Sequence, residues 1–311
     1  LVLVLIASLL SWQSASAART SGDGRVVAQL LVPHAVVVSA LQYERTQMIA
    51  AAAAGTDDAP GARVVTDNAV AALARAAAAA PSGLMGGRIT DLMAQATGLQ
   101  GAVDQIRSSV PGSSSSAVDD AYTALISNVA AMPVVLSQRM TEPNLAAEFR
   151  AYGLVMAASE ALSHELPLVT AVLEDPNANA EMIGRLPVMI AASDSAVAAA
   201  RESLVTLGDA SLYLAPTPEG LATLRRALSF ASIDTILKAD ATQWETQGIV
   251  RDRLTQIRTE LVGVIDKDAA ELASAANRQA LLTAAGAALA VLVAVAFALM
   301  LRATISAKSC W

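Results

Sequence analysis

The sequence has few of the residues from which most metal and catalytic sites are built. Its 311 residues include one cysteine, Cys310, and two histidines, His34 and His164. A single cysteine excludes an intrachain disulfide and a multi-cysteine zinc site, and two histidines leave little material for a metal centre. No Ser/His/Asp constellation stands out. We therefore predict no cofactor and no enzymatic activity.

Aromatic and charged residues are also scarce. Aromatic residues make up 3% of the chain, too few for the strands of an ordinary β-sandwich, so an all-β fold is excluded. Charged residues make up 16%, against about 25% in soluble domains. The net charge of −7 and the pI near 4.9 argue against a nucleic-acid partner, which needs a basic face to neutralise phosphates.

What the chain has in excess is apolar residues, at 54%, with a mean hydropathy of +0.48. Part of this excess is alanine in the middle of the chain, and alanine favours helix. The rest lies at the two ends. Leu281–Leu301 is an uncharged run as long as the roughly 20 residues that cross a bilayer, so we predict a transmembrane helix there. Residues 1–17 are predicted to be part of a first transmembrane helix, or a signal-like segment in which Ala15-Ser16-Ala17 resembles a signal-peptidase site.

Charge suggests an orientation for this arrangement. All 28 acidic residues lie within 18–280, whereas Arg302 and Lys308 follow the second apolar run and carry the positive charge typical of the cytoplasmic side. We expect a plasma-membrane protein in which 18–280 form a large extracytoplasmic domain, 281–301 a transmembrane helix and 302–311 a cytoplasmic stub. This layout is typical of receptors.

The domain between the apolar runs is predicted to be all-α. Apolar periodicity, bounded by Pro, Gly, Asn, Asp and Ser, indicates antiparallel helices packed as bundles. Seven of the predicted helices span 33–54, 63–80, 84–110, 144–173, 178–207, 217–238 and 242–280. Another predicted helix lies between the third and fourth of these; it is capped by Asp119 or a neighbouring serine and ends near 131. The apolar stripe of the last helix leads into the transmembrane run, which favours one long helix, unless the stretch at 275–278 breaks it.

Four short segments resemble the nitrate- and nitrite-sensing domain family. Ser39–Arg45 resembles its "ALQxER" opening, Arg63–Asp67 its "QRxxTD" step and Ala121–Ile126 its "YTxLI" helix. Trp244, with the stretches 257–261 and 269–276, is similar to the final helix of actinobacterial histidine kinases that carry this sensor. The resemblance covers roughly 25–280.

Membership would imply two stacked four-helix bundles that sense nitrate or nitrite for a separate output module. Receptors with this membrane layout are usually dimers, so we expect a homodimer. Arg302–Ser306 looks like the start of a HAMP relay, as in two-component sensor kinases. No phospho-acceptor histidine box follows, so we do not expect this chain itself to be a kinase.

The candidate anion ligand is Arg45, because Val38, Leu41 and Met48 share its face of the first helix. A cation among apolar residues needs a partner or a bound anion. Arg45 could instead reach solvent or pair with an acid such as Glu44 or Asp67.

A second ligand must come from another helix. Arg63 could converge on Arg45, or could pair with Asp67. The family's "ERA" step appears as Glu165 followed by Leu166, where an arginine would stand. Further candidates for that missing arginine are Arg139, Arg150 and Arg201.

Two functions remain open from the sequence. The first is a membrane-anchored receptor that binds nitrate or nitrite and relays a helix shift inward. The alternative is a helical interaction or scaffold module of the cell envelope that binds no small ligand, which the Leu166 departure favours.

Overall fold

The computed structural model describes residues 22–56, 59–80, 89–174, 180–229 and 241–308, and within them every regular element is helical. A helical stretch at 22–29 leads into the first long helix, and a 3-10 turn spans Ala210–Leu212. The predicted all-α class is therefore confirmed. The eight long α-helices of the described residues are α1 (Leu31–Ala53), α2 (Pro60–Ala79), α3 (Thr90–Ser109), α4 (Ser115–Ser137), α5 (Pro143–Glu174), α6 (Ala180–Leu207), α7 (Glu219–Leu228) and α8 (Ala241–Lys308).

The helix boundaries follow local signals in the sequence. Pro60 occupies the first turn of α2, where the missing N–H costs nothing. The cap of α4 is Ser114, whose hydroxyl accepts a hydrogen bond from the backbone N–H of Ala117 at 3.3 Å. Of the two predicted alternatives the serine is therefore right, and Asp119 lies inside the helix and is buried. α4 also continues beyond the predicted end near 131, to Ser137, with Pro133 inside it.

The helices fall into two groups of four. In the first, α1 packs against α2 and α4, and α3 packs against α2 and α4, so the four helices form a closed bundle. In the second, α5 packs against α6 and α8, and α7 contacts both α6 and α8. The two groups meet where α5 lies against α4 and α1. Each helix thereby buries its apolar stripe against neighbours.

The predicted buried faces of the first and last helices are confirmed. Val38, Leu41, Arg45 and Met48 of α1 are all at most 2% exposed. On α8 the apolar stripe is fully buried over about four turns, at Leu254, Ile257, Leu261, Ile265 and Ala269. α8 packs this stripe mainly against α5.

α8 is one continuous helix of 68 residues, about 100 Å long at 1.5 Å per residue. No break occurs at 275–278, so the prediction of one long helix is confirmed. Beyond the bundle its large apolar side chains are exposed, for example Leu282 at 75% and Phe297 at 64%. No helix of the described chain covers this part, which is apolar enough to be covered by lipid.

Within the described residues, three helices are long and apolar enough to cross a membrane: Gly22–Ala52, Ser115–Ser137 and Gly248–Phe297. The apolar windows of the first two are 44% and 39% buried inside the protein, whereas that of the third is 0% buried. The first two serve the bundle core, and the third is free to meet a membrane. The predicted membrane segment at 1–17 and the end of the stub at 309–311 lie outside the described residues.

Candidate functional site

Arg45 is fully buried between α1, α4 and α5. Its Nη1 donates to Glu160 Oε1 of α5 at 2.5 Å and to Thr123 Oγ1 of α4 at 3.0 Å. The other edge of the guanidinium, formed by Nε and Nη2, is buried and has no hydrogen-bond partner within the described residues. Arg45 thus has one edge held by a carboxylate and one edge with two unused donors.

The acid that pairs with Arg45 is Glu160, 115 residues away, and neither of the acids near it in sequence. Both oxygens of Glu160 are held by α1, because Gln42 Nε2 donates to Glu160 Oε2 at 2.6 Å. A second carboxylate, Asp119 of α4, has Oδ1 3.9 Å from Arg45 Nε, which is ion-pair distance and too long for a hydrogen bond. We call Arg45, Glu160, Gln42, Thr123 and Asp119 the Arg45 cluster.

Asp119 connects the Arg45 cluster to two residues that are nearer the surface. Its Oδ2 lies 2.7 Å from His164 Nε2 of α5 and 3.7 Å from Arg185 Nη1 of α6. Arg185 in turn bonds Asp120 through Nη2 at 2.7 Å. Arg45 and Arg185 therefore flank Asp119 on two sides, so its negative charge is partly neutralised before any anion approaches Arg45.

The acids expected as partners of Arg45 belong to another arginine, Arg107 of α3. Arg107 holds Glu44 with two parallel hydrogen bonds, Nε to Oε1 at 2.7 Å and Nη2 to Oε2 at 2.9 Å, and Asp67 with Nη1 at 2.6 Å. Tyr122 of α4 donates to Glu44 Oε1 at 2.8 Å. This Arg107 cluster connects all four helices of the first bundle.

Electrostatics inside the Arg107 cluster favour the charged pair. Burial alone would raise the pKa of Glu44, but hydrogen bonds from Arg107, Thr66 and Tyr122 outweigh burial and hold that pKa below its ordinary value. The donors of Arg107 are engaged by Glu44, Asp67 and the carbonyl oxygen of Arg63 at 3.2 Å. The cluster is a structural ion pair with no edge left for a ligand.

The second bundle has a comparable arginine, Arg225 of α7. Arg225 bonds Glu165 Oε1 at 2.6 Å, Ser193 Oγ at 2.6 Å and Asp194 Oδ1 at 2.9 Å. Glu165 is fully buried, and burial raises its pKa although Arg225 and Ser193 act in the opposite direction. The arginine that faces Glu165 is therefore Arg225 of α7. It lies about 60 residues after Leu166, the position at which the family's motif has its arginine.

The other predicted arginines lie in different places. Arg63 of α2 points its Nη2 to the sulfur of Met48 at 4.0 Å, so its head reaches the buried face of α1 at Met48. Arg201 of α6 donates to the carbonyl oxygens of Leu214 and Ala215 and fixes the loop after the 3-10 turn. Arg150 is exposed on α5, and Arg139 lies in the turn after α4.

His34 is buried, at 4% exposed, and its Nε2 lies 2.8 Å from the carbonyl oxygen of Val129. Burial is the main reason why its pKa falls to about 4. A histidine with this pKa stays neutral at physiological pH, so His34 is a structural residue and not a pH switch.

Sequence reasoning missed Arg107, Arg225 and Arg258, and the signal that singled out Arg45 would have found each of them. Arg107 stands four residues after the buried Val103, Arg225 four residues after the buried Leu221, and Arg258 four residues after the buried Leu254. A cation at core spacing on an apolar stripe is informative wherever it occurs.

Comparison with known proteins agrees with this architecture. The family model described as nitrate and nitrite sensing matches residues 36–266. Among solved structures, the fold is similar to the structure of the NasR transcription antiterminator, with a TM-score of 0.53 and 16% sequence identity over 92% of this chain and 82% of that chain. No curated protein matches the sequence. Because the family model covers most of the chain, including the Arg45 cluster and most of the buried part of α8, the protein belongs to the nitrate- and nitrite-sensing family.

Proposed function

We propose that this chain is a membrane-anchored receptor that binds nitrate or nitrite outside the membrane and relays a helix shift inward to a signalling output. Family membership supports nitrate and nitrite as the ligands. The observation that carries the proposal is the buried edge of Arg45, whose Nε and Nη2 have no hydrogen-bond partner in the described chain. A buried charged donor left without an acceptor is costly, and a bound oxyanion would remove that cost.

Nitrate and nitrite match this edge chemically. Each offers two oxygens in one plane, and the guanidinium offers two parallel N–H groups, as it does to a carboxylate. Glu160 and Thr123 orient the guanidinium by holding Nη1. We propose Arg45 as the first ligand and Arg63 as a second, since its head contacts Met48, three residues after Arg45 on the same face.

The relay in this proposal is α8. The bundle holds α8 against α5 through the stripe from Leu254 to Ala269, and the same helix continues through the apolar run to Lys308. A ligand that binds one packing of α1 and α5 better than another shifts the population, and α8 transmits that shift. We also propose that the chain forms a homodimer, because Val32 and Val36 expose an apolar surface on α1 that suits a second copy. The mass measured by light scattering in detergent would test this.

The test is thermal unfolding of the full chain in nanodiscs, with sodium nitrate, nitrite or chloride at constant ionic strength. A ligand at about 100 times its dissociation constant adds roughly 2.7 kcal/mol, enough to raise the midpoint by a few degrees. We expect nitrate or nitrite to raise the midpoint more than chloride does. Equal midpoints in all three salts would leave the scaffold function as the better account.

A further inference from the structure

A pocket of about 320 Å³ opens to solvent between α1, α5 and α8, and Gln42 of the Arg45 cluster is one of its lining residues. Its walls are mostly polar. α8 contributes Arg251 and Arg258, and α5 contributes Ser159 and Ser163. The pocket is large enough for a small hydrated anion, and in it the relay helix α8 faces α1 and α5, two of the three helices of the Arg45 cluster.

The charge of this pocket is positive. Its lining includes two arginines and no carboxylate. The described polar contact of the Arg258 guanidinium is Nη1 to the sulfur of Met156 at 3.9 Å, and a thioether is a weak acceptor. Arg251 has Asp252 at 3.7 Å, an exposed pair that contributes little. Arg258 therefore keeps most of its donor capacity for a ligand.

The neighbouring donors define what the pocket accepts. The hydroxyls of Thr46 and Thr255 donate to carbonyl oxygens of their own helices, so they offer a ligand no proton. The donors that remain are Arg258, Arg251, the hydroxyl of Tyr43 and the serine hydroxyls, with the amide of Gln42 beside them. This is a set of N–H and O–H donors around a cation, which suits a small oxyanion and disfavours a cation or an apolar ligand.

We propose that this pocket is a second anion subsite for a small planar oxyanion, with Arg258 as its principal ligand. The inference rests on the proposed function and extends it, because a ligand here would contact α8 directly. Gln42 couples the two subsites: it lines the pocket, and its amide holds Glu160, whose other oxygen holds Arg45. An anion that draws Gln42 into the pocket frees one oxygen of Glu160 and alters the Arg45 cluster.

The test is isothermal titration of the full chain in nanodiscs with sodium nitrate, using sodium gluconate to keep the ionic strength constant. We expect two nitrates per wild-type chain and one per Arg258→Gln chain. Arg258→Lys keeps the charge but loses the planar fork, and should retain the second nitrate with at least about tenfold weaker affinity. Arg278→Gln, an exposed arginine of α8 outside the pocket, is the matched control and should behave as wild type.

Each outcome decides between the two subsites. If Arg258→Gln binds two nitrates, or if wild type binds one nitrate with an affinity that does not change in Arg258→Gln, the pocket is not an anion subsite. Either result would leave the proposed function standing. One nitrate in wild type that is lost in Arg258→Gln would support the pocket and overturn the contact at Arg45. A wild-type chain that binds neither nitrate nor nitrite would overturn the proposed function and the subsite with it.

Discussion

Replacing Arg45 with methionine should lower the free energy of unfolding by about 3–5 kcal/mol, because it leaves a buried carboxylate without its cation. The side chains of Arg45 and Glu160 are 1% and 6% exposed, so water cannot replace the lost partner fully. The measurement is urea unfolding of the full chain in nanodiscs. From the sequence alone, replacing Arg45 with alanine is expected to abolish anion binding without unfolding the domain; the ion pair with Glu160 adds a loss of stability to that expectation.

A double-mutant cycle separates this cost from anion binding. Glu160→Met alone should also destabilise, whereas the double variant Arg45→Met/Glu160→Met should lose about 1–3 kcal/mol less than the sum of the two single losses. The double variant is therefore the folded background in which to measure nitrate. It should be unable to bind nitrate at the Arg45 edge, and strictly additive losses would show that the pair is not coupled.

Replacing Arg107 with methionine should destabilise the first bundle by a similar amount, about 3–5 kcal/mol. Glu44 is fully buried, and it would lose two of its hydrogen bonds at once. Arg107→Lys should cost less, because it keeps the charge and loses the parallel bonds. The matched control is Arg75→Met, an exposed arginine of α2 in the same bundle, which should change stability by no more than about 0.5 kcal/mol.

The same variant has a defined pH signature. Since the folded pKa of Glu44 is held below its ordinary value of 4.5, its contribution to stability is present above that pH and is lost as the pH falls through the folded pKa. Arg107→Met should therefore flatten the acid side of the stability profile of the bundle. An Arg107→Met chain as stable as Arg75→Met at neutral pH would contradict the role given to the Arg107 cluster.

The sequence was sufficient for the helices and for their buried faces, because both depend on local spacing. The stripe of Val38, Leu41, Arg45 and Met48 follows from the period of the helix, and Pro60 and Ser114 mark helix starts by their own chemistry. The spacing of residues within one helix predicts which side chains are buried, for charged residues as well as for apolar ones.

The ion pairs could not be predicted, because they depend on how distant helices pack. Arg45 is next to Glu44 in the chain, yet neighbouring residues on a helix point in different directions. Glu44 consequently meets Arg107 of α3, and Arg45 meets Glu160 of α5. The pocket at Arg258 was beyond sequence reasoning for the same reason, since three helices far apart in the chain contribute its walls.

In the proposed receptor, the bundle binds a specific anion and α8 moves in response. The most direct measurement is the distance between spin labels at Arg150→Cys on α5 and Ser274→Cys on α8, in a Cys310→Ser chain reconstituted in nanodiscs. We expect saturating nitrate or nitrite to shift the distance distribution, whereas chloride at the same ionic strength should leave it unchanged. Identical distributions in all three salts would contradict the proposed relay.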